Sequence, residues 1–373
     1  MNIFYIVVFT SYLIGCFFLR KIIKKVFLAP FDMENFTFLF DIFFVSFIAM
    51  NILKRKGVFP TDFGSHFVMY GFLFWGISWV LLLCFALHFF LEKRKVGSPQ
   101  RRKFFKKSIS VVGSISAVTL ALKGKQQAFE PIIIKQNVAL PPKFKSLQGL
   151  SITQISDLHI GPILDGEFAQ KVVSMSNELN SDIVVITGDI ADAKAHEIRE
   201  QMSCLKDLTS KYGVYYILGN HEYYWGAQGW IELMQDFGLT TLVDQHKELE
   251  VNQQKVVIAG VTDKTAKRMK INHSFDPKEA FRDSDQDAFR ILLAHRPKVC
   301  FQAEDLNVHL QLSGHTHGGQ AFPWNLAIGL VQPYLKGLHN HKGCQLYVNR
   351  GTGFWGPANR LMNSGEITKI TFT

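Results

Sequence analysis

The feature that most restricts the fold is a series of short apolar runs after residue 150, several of which break off in a cluster of Asp, His, Asn and Gly. The runs are Leu150–Ser156, Ile183–Thr187, Val214–Leu218, Val256–Val261, Arg290–Ala294, Val308–Leu312 and Gln345–Asn349. Each has the length of a strand, and helical stretches alternate with them, so the expected core is α/β. The first three clusters are Ser156-Asp157-Leu158-His159, Thr187-Gly188-Asp189 and Gly219-Asn220-His221-Glu222. Two later ones are Leu293-Ala294-His295-Arg296-Pro297 and Ser313-Gly314-His315-Thr316-His317-Gly318-Gly319. The carboxyl edge of an α/β sheet is where ligands bind, so these side chains are expected to converge there.

Carboxylate, amide oxygen and imidazole nitrogen together suit two divalent ions such as Mn, Fe or Zn better than calcium. Two such ions a few Å apart can clamp a phosphoryl group and acidify a shared water. A lone D-x-H or G-N-H arises by accident in many chains; five blocks in order, each after an apolar run, do not.

The five blocks resemble the calcineurin-like metallophosphoesterase superfamily, whose pattern is D-x-H, G-D, G-N-H-[DE], H and G-H-x-H; the resemblance covers residues 150–373. It implies one metal on Asp157, His159, Asp189 and His317 and a second on Asp189, Asn220, His295 and His315, with Asp189 bridging. It implies that His221 lies beside the metals as the catalytic group, stabilising the phosphate or protonating the leaving oxygen. The implied fold is a four-layer metallophosphoesterase sandwich, two mixed β-sheets flanked by helices. The tail Tyr347–Pro357 is similar to a narrower, membrane-associated bacterial branch. Some members of that branch act as UDP-2,3-diacylglucosamine pyrophosphatases and some are exported by the twin-arginine route.

The N-terminal third reads differently. With 47% apolar residues, 33 Phe and 19% charged residues, the chain as a whole is unlike an ordinary soluble protein. Apolar stretches at 3–19, 36–53 and 67–91 are each long enough to cross a bilayer, the second holding Asp41. The basic run Pro99-Gln100-Arg101-Arg102-Lys103-Phe104-Phe105-Lys106 resembles a twin-arginine export signal. Ile109–Leu122 then reads either as its hydrophobic region or as a fourth span. Lys and Arg outnumber Asp and Glu by 17 to 5 in residues 1–125, against 24 to 26 in residues 126–373. Flanking bases of membrane segments account for that excess, and the near-neutral remainder offers no broad footprint for nucleic acid.

The expected organisation is therefore a membrane region at 1–125 with transmembrane helices, a linker at 126–149 and the phosphoesterase domain at 150–373. Basic loops at 20–25 and 93–107 face inward, which puts the chain in the plasma membrane, multi-pass, and places the domain on the outer face if 109–122 crosses. The expected function is a membrane-anchored phosphohydrolase with the membrane, a small-molecule or lipid phosphate and the twin-arginine translocase as partners, and no nucleic acid. The alternative is a non-catalytic membrane scaffold that keeps the fold as a binding module.

Asp192 reads as an acid that supports the metal ligands from behind or, more readily, as a helix cap or a solvent-facing acid. Arg296, Arg350 and Arg360 read equally as phosphate forks and structural ion pairs. His196, His246, His273, His309, His339 and His341 match no motif, and the five scattered cysteines suggest neither a disulfide framework nor a zinc site. The segment Gly319–Gly337, apolar but broken by Pro and Gly, reads as a loop offering Phe322, Trp324, Leu326, Ile328, Leu330 and Tyr334 beside the metals.

Overall fold

β-Branched runs such as Ile183–Ile186 can be buried on both faces only if other layers cover them, and that requirement organises the molecule. The computed structural model describes residues 98–373 apart from 321–323, 331 and 357. The expected spans at 3–19, 36–53 and 67–91 lie outside the described residues.

The first sheet contains β1 (Ile132–Val138), β2 (Ser151–Ile155), β3 (Ile183–Ile186), β4 (Val214–Tyr216) and β5 (Thr240–Thr241). The second contains β6 (Gln245–Val251), β7 (Gln254–Val261), β8 (Phe289–Ala294), β9 (Leu310–Ser313), β10 (Gly337–His341) and β11 (Cys344–Val348). The last strand, β12 (Glu366–Phe372), returns to the first sheet, giving orders β1-β12-β2-β3-β4-β5 and β10-β11-β9-β8-β7-β6. Both sheets are mixed. Strands β2 to β5 run parallel with β12 antiparallel to β2, and β7, β8, β9 and β11 run parallel with antiparallel edges.

Alternate residues of the two sheets meet in one core. Ile152, Ile183, Val185 and Ile217 come from the first side, and Ile258, Ile291, Leu293 and Leu312 from the second. Each fully buried aliphatic side chain of this kind contributes roughly 1.5–3 kcal/mol. The outer face of the second sheet is closed by Ala280, Phe281, Val299 and Ala303 against Val257, Ala259 and Leu292. On the first sheet, a helix at Gly166–Glu178 buries Phe168, Ala169, Val172 and Val173 and packs on β12. Its start is fixed by Asp165, whose carboxylate accepts from Glu167 N and Phe168 N. The expected pair of mixed sheets flanked by helices is what forms.

Two expectations need correction. Residues 109–122 lie within one 31-residue helix, Pro99–Phe129, and among the described residues no helix is long and apolar enough to cross a membrane. Serines 108, 110, 114 and 116 with Gly113 and Thr119 dilute the apolar side chains, and Lys123 and Lys125 follow directly. The stretch 126–149, read as a linker, holds β1, which pairs in parallel with β12 from Ile132↔Glu366 to Val138↔Phe372. Residues 123–373 form one compact unit.

Candidate metal centre

The functional side chains sit where the strands stop. Asp157 and His159 follow β2, Asp189 follows β3, Asn220 and His221 follow β4, His295 follows β8, and His315 and His317 follow β9. All five of these strands are parallel neighbours within their sheets, so their carboxyl ends share one edge of the sandwich. Five of the residues hold left-handed backbone: Asp157, His159, Asp189 and His317 at φ 51° and His315 at φ 69°. Such strain persists only where surrounding structure imposes it, and it clusters at functional sites. Glycines let the loops close up. A Cβ on Gly219 would strike Asp189, one on Gly188 would strike the Gly219 backbone, and one on Gly314 would strike Ser156 and Asp157.

Three groups of donors converge: Asp157 with His159 and His317; His159 with Asp189 and His221; and Asp189 with His295 and His315. In each group the ligand atoms all lie within 4.8 Å of one another. His317 Nε2 stands 3.3 Å from Asp157 Oδ1 and 3.1 Å from His159 Nε2. His295 Nε2 stands 3.1 Å from Asp189 Oδ2 and 3.2 Å from His315 Nδ1. Donors bound 2.0–2.2 Å from a common ion stand about 3 to 3.5 Å apart, so the spacing and the N/O donor set fit divalent metal. Burial raises the Asp157 and Asp189 pKa values, but His317 beside the first and His295 and His221 beside the second outweigh it and hold both carboxyls below their ordinary range. Burial pushes His317 down to about 4, so the ring is neutral and free to donate. All seven expected ligand residues are thus brought to one edge, with Asn220 Oδ1 turned toward Arg296 Nη2 at 3.0 Å, beside His315.

His221 completes the middle group. Its Nδ1 pairs with Asp192 Oδ1 in a very short contact, and its Nε2 lies 4.0 Å from Asp189 Oδ2. Burial disfavours its charged form, yet Asp192 and Asp189 carry its pKa up to about 10. Asp192 also reaches His159 Nδ1 at 3.3 Å. Of the readings open for it, the supporting acid is the one that holds: Asp192 is the partner of two site histidines rather than a helix cap or a solvent-facing acid.

Other residues that the sequence left without a settled role also belong to the site. Glu222 is fully buried, and its carboxylate accepts from Asp189 N (2.9 Å), Ile190 N (2.8 Å) and Gly219 N (2.6 Å), tying the second and third loops together. Asp263, two residues beyond β7, grips Arg296 at 2.6 and 3.3 Å. Arg360 is buried behind His317, with Nη2 3.0 Å from its Nδ1 and Nη1 donating to its carbonyl and to that of Arg350. Arg350 itself is ion-paired to Glu366 at 2.6 Å. For Asp263, which the sequence reading did not name, the available signal is an acid two residues beyond an apolar strand.

The segment after His317 is not a plain loop. Trp324–Gly329 is helical, Leu330 is fully exposed to solvent, and Tyr334 turns to Phe301 and to His341 Nδ1, 2.8 Å from its hydroxyl.

Residues 150–319 match the calcineurin-like phosphoesterase profile. An uncharacterized metallophosphoesterase of Helicobacter pylori is 31% identical over 274 residues, 73% of this chain and 72% of that protein. The chain belongs to the calcineurin-like metallophosphoesterase family. Its matched domain is a metal-dependent phosphoesterase. An uncharacterized metallophosphoesterase of Campylobacter jejuni is 29% identical over 375 residues, 97% of this chain and 96% of that one. A Danio rerio "transmembrane protein with metallophosphoesterase domain" is 33% identical over 270 residues, 70% of this chain. That match covers 62% of the zebrafish protein, so the phosphoesterase spans less than two thirds of that relative's length.

Proposed function

We propose that this metallophosphoesterase is a membrane-associated two-metal phosphohydrolase that cleaves a phosphoester or phosphoanhydride bond. Asp157, His159, Asp189 and His317 hold one divalent ion and Asp189, Asn220, His295 and His315 the other, drawn from Mn, Fe and Zn. The observation that carries this reading is that Asp189 is common to two of the three donor groups, with His159 and His221 in one and with His295 and His315 in the other. When bound, the ions supply charge for the phosphoryl oxygens and an acidified water. The chain's own contribution is placement. His221, turned toward the centre by Asp192, holds a proton for the leaving oxygen. Glu222 fixes the loops that present Asp189 and Asn220.

The substrate class proposed is a phosphate carried on an acyl chain or a sugar-nucleotide lipid, in keeping with the apolar N-terminal stretches, a relative named as a transmembrane protein and the bacterial-branch likeness of the tail. Residues 1–125 associate with the plasma membrane, and, with 109–122 no longer read as a fourth span, it is the export-signal reading of Arg101–Lys106 that argues for a domain on the outer face. A comparison of kcat/KM for acylated and deacylated forms of one phosphate substrate tests the substrate class, and equal efficiency would reject it. Metal analysis tests the centre: wild-type turnover in a chain freed of metal would reject it. Protease added to intact spheroplasts should digest the domain; digestion only in inside-out vesicles would reverse the orientation.

A further inference from the structure

The catalytic unit as a whole is close to neutral, yet one exposed segment beside the site is not. Lys264, Lys267, Arg268 and Lys270 place four bases in seven residues, all exposed, and no acid occurs from residue 264 to residue 275. The segment begins directly after Asp263, which grips Arg296 next to His295. Its short helix, Thr265–Arg268, lays Arg268 over the Tyr224 ring at 5.6 Å, with Nη2 3.3 Å from the Tyr224 hydroxyl. Tyr224 in turn stands 5.4 Å from the His221 ring. Arg268 therefore borders the mouth of the metal centre, and Lys264, Lys267 and Lys270 flank it on the same short segment. Lys264 registers the crowding: burial and then the charges of Arg296, Lys298 and Arg268 hold its pKa below the ordinary lysine value.

Apolar side chains are exposed among these charges. Met269 is 42% exposed within the basic run, Tyr224 is 44% exposed, and Trp355, its ring 6.0 Å from that of His221, is 45% exposed. Trp355 is held in place, its N donating to Gln320 Oε1 at 3.0 Å and its carbonyl accepting from Gln320 Nε2 at 2.8 Å. Trp and Tyr prefer the bilayer interface, where one end of the ring is wet and the other apolar, and clustered Lys and Arg draw such a face to anionic headgroups.

We propose that the mouth of the metal centre is a docking face for an anionic lipid bilayer, with Lys264, Lys267, Arg268 and Lys270 on the headgroups and Tyr224, Met269 and Trp355 entering the interface. The proposal rests on the membrane-associated reading above and deepens it: the reacting phosphate is presented from the lipid surface itself. A nucleic acid would meet the same bases and rings, but a site surrounded by a near-neutral domain lacks the extended track that a polyanionic strand needs.

The test uses the full chain in lipid nanodiscs, either phosphatidylcholine alone or phosphatidylcholine with phosphatidylglycerol, and reads acylation of individual lysines by mass spectrometry. One base near an anionic surface contributes about fivefold in binding, so Lys267 and Lys270 should label at least about fivefold more slowly in the anionic discs. The protection should vanish at high salt, and Lys247, exposed on β6, should not change. In K267E/K270E, which should keep its metal content, Lys264 should lose its protection. Equal labelling in the two discs overturns the proposal, as does protection by a single-stranded oligonucleotide without protection by anionic discs. Labelling needs no turnover. Protection in a chain that hydrolyses nothing would sink the proposed function alone, and unprotected lysines in an active chain would sink only the docking face.

Discussion

Replacing Asp192 by Asn separates the roles of the site carboxylates. The change keeps shape and one acceptor but removes the charge that pairs with His221 Nδ1 and reaches His159 Nδ1 at 3.3 Å. A hydrogen bond to a charged partner is worth about 1.5–3 kcal/mol, or roughly 10- to 100-fold in rate if felt only in the transition state. At saturating manganese, kcat for a phosphodiester with an alkyl leaving group should fall by that factor. With a nitrophenyl leaving group, which departs with little help from an acid, the loss should be smaller. Burial works against a charged His221, and Asp192 is the largest of the three carboxylate charges, with Asp189 and Glu222, that lift its pKa to about 10. A general acid works only while protonated, so the alkaline limb of kcat should move to lower pH in the variant. Adding Asp192→Asn to His221→Ala should cost little more than His221→Ala alone, because the two act as a unit. Wild-type kcat on both esters with an unmoved alkaline limb would refute the pairing.

Asp189→Asn and His317→Ala should each abolish hydrolysis and lower bound metal, measured by elemental analysis, whereas His221→Ala should keep its metal and lose ~10²–10⁴-fold in kcat. Gly314→Ala should lose metal and activity without touching a ligand, because its Cβ would strike Asp157; calorimetry should also show a lower Tm. His309 lies between Phe144 and Phe289, its Nδ1 accepting from Arg290 N at 3.0 Å, and burial followed by Arg290 and Lys143 pushes it down to about 4 from 6.5. Protonation therefore favours unfolding: this contribution is complete above pH 6.5 and is lost as the pH falls toward 4. After allowance for partial exposure it amounts to about 1–2 kcal/mol. His309→Asn keeps the acceptor and should flatten denaturation midpoints across that window.

The five ligand blocks were legible because each chemical residue follows an apolar run, and burial of the run fixes where the block must lie. Strand β12 was not, since its inward positions include Glu366 and Thr368. Those are accommodated by Arg350, Tyr347 and Asn349 from distant segments, which no local periodicity reports. Strand β1 hid in a presumed linker because its face is largely solvent-exposed and only β12 gives it a place. Asp192 and Asp263 show the same limit at the site. A carboxylate's partner is set by tertiary approach, and His221 and Arg296 lie 29 and 33 residues away from them in sequence. Arg360, 43 residues beyond His317, could be read equally as a phosphate fork or a structural ion pair, because its place behind that ring is set by tertiary approach.

The left-handed backbone at Asp157, His159, Asp189, His315 and His317 limits how this site can decay as well as how it works. Residues branched at Cβ are nearly excluded from that conformation, and Asn, Asp, His and Gly are the ones that tolerate it. The loop geometry therefore filters mutations before metal affinity does. A lineage released from selection for hydrolysis would drift first toward Asn or Gly at these five places while the sheets stayed intact. A descendant with Val or Ile there would have had to rebuild the loop. The alphabet left at those positions in such a descendant would report whether catalysis or folding was abandoned first.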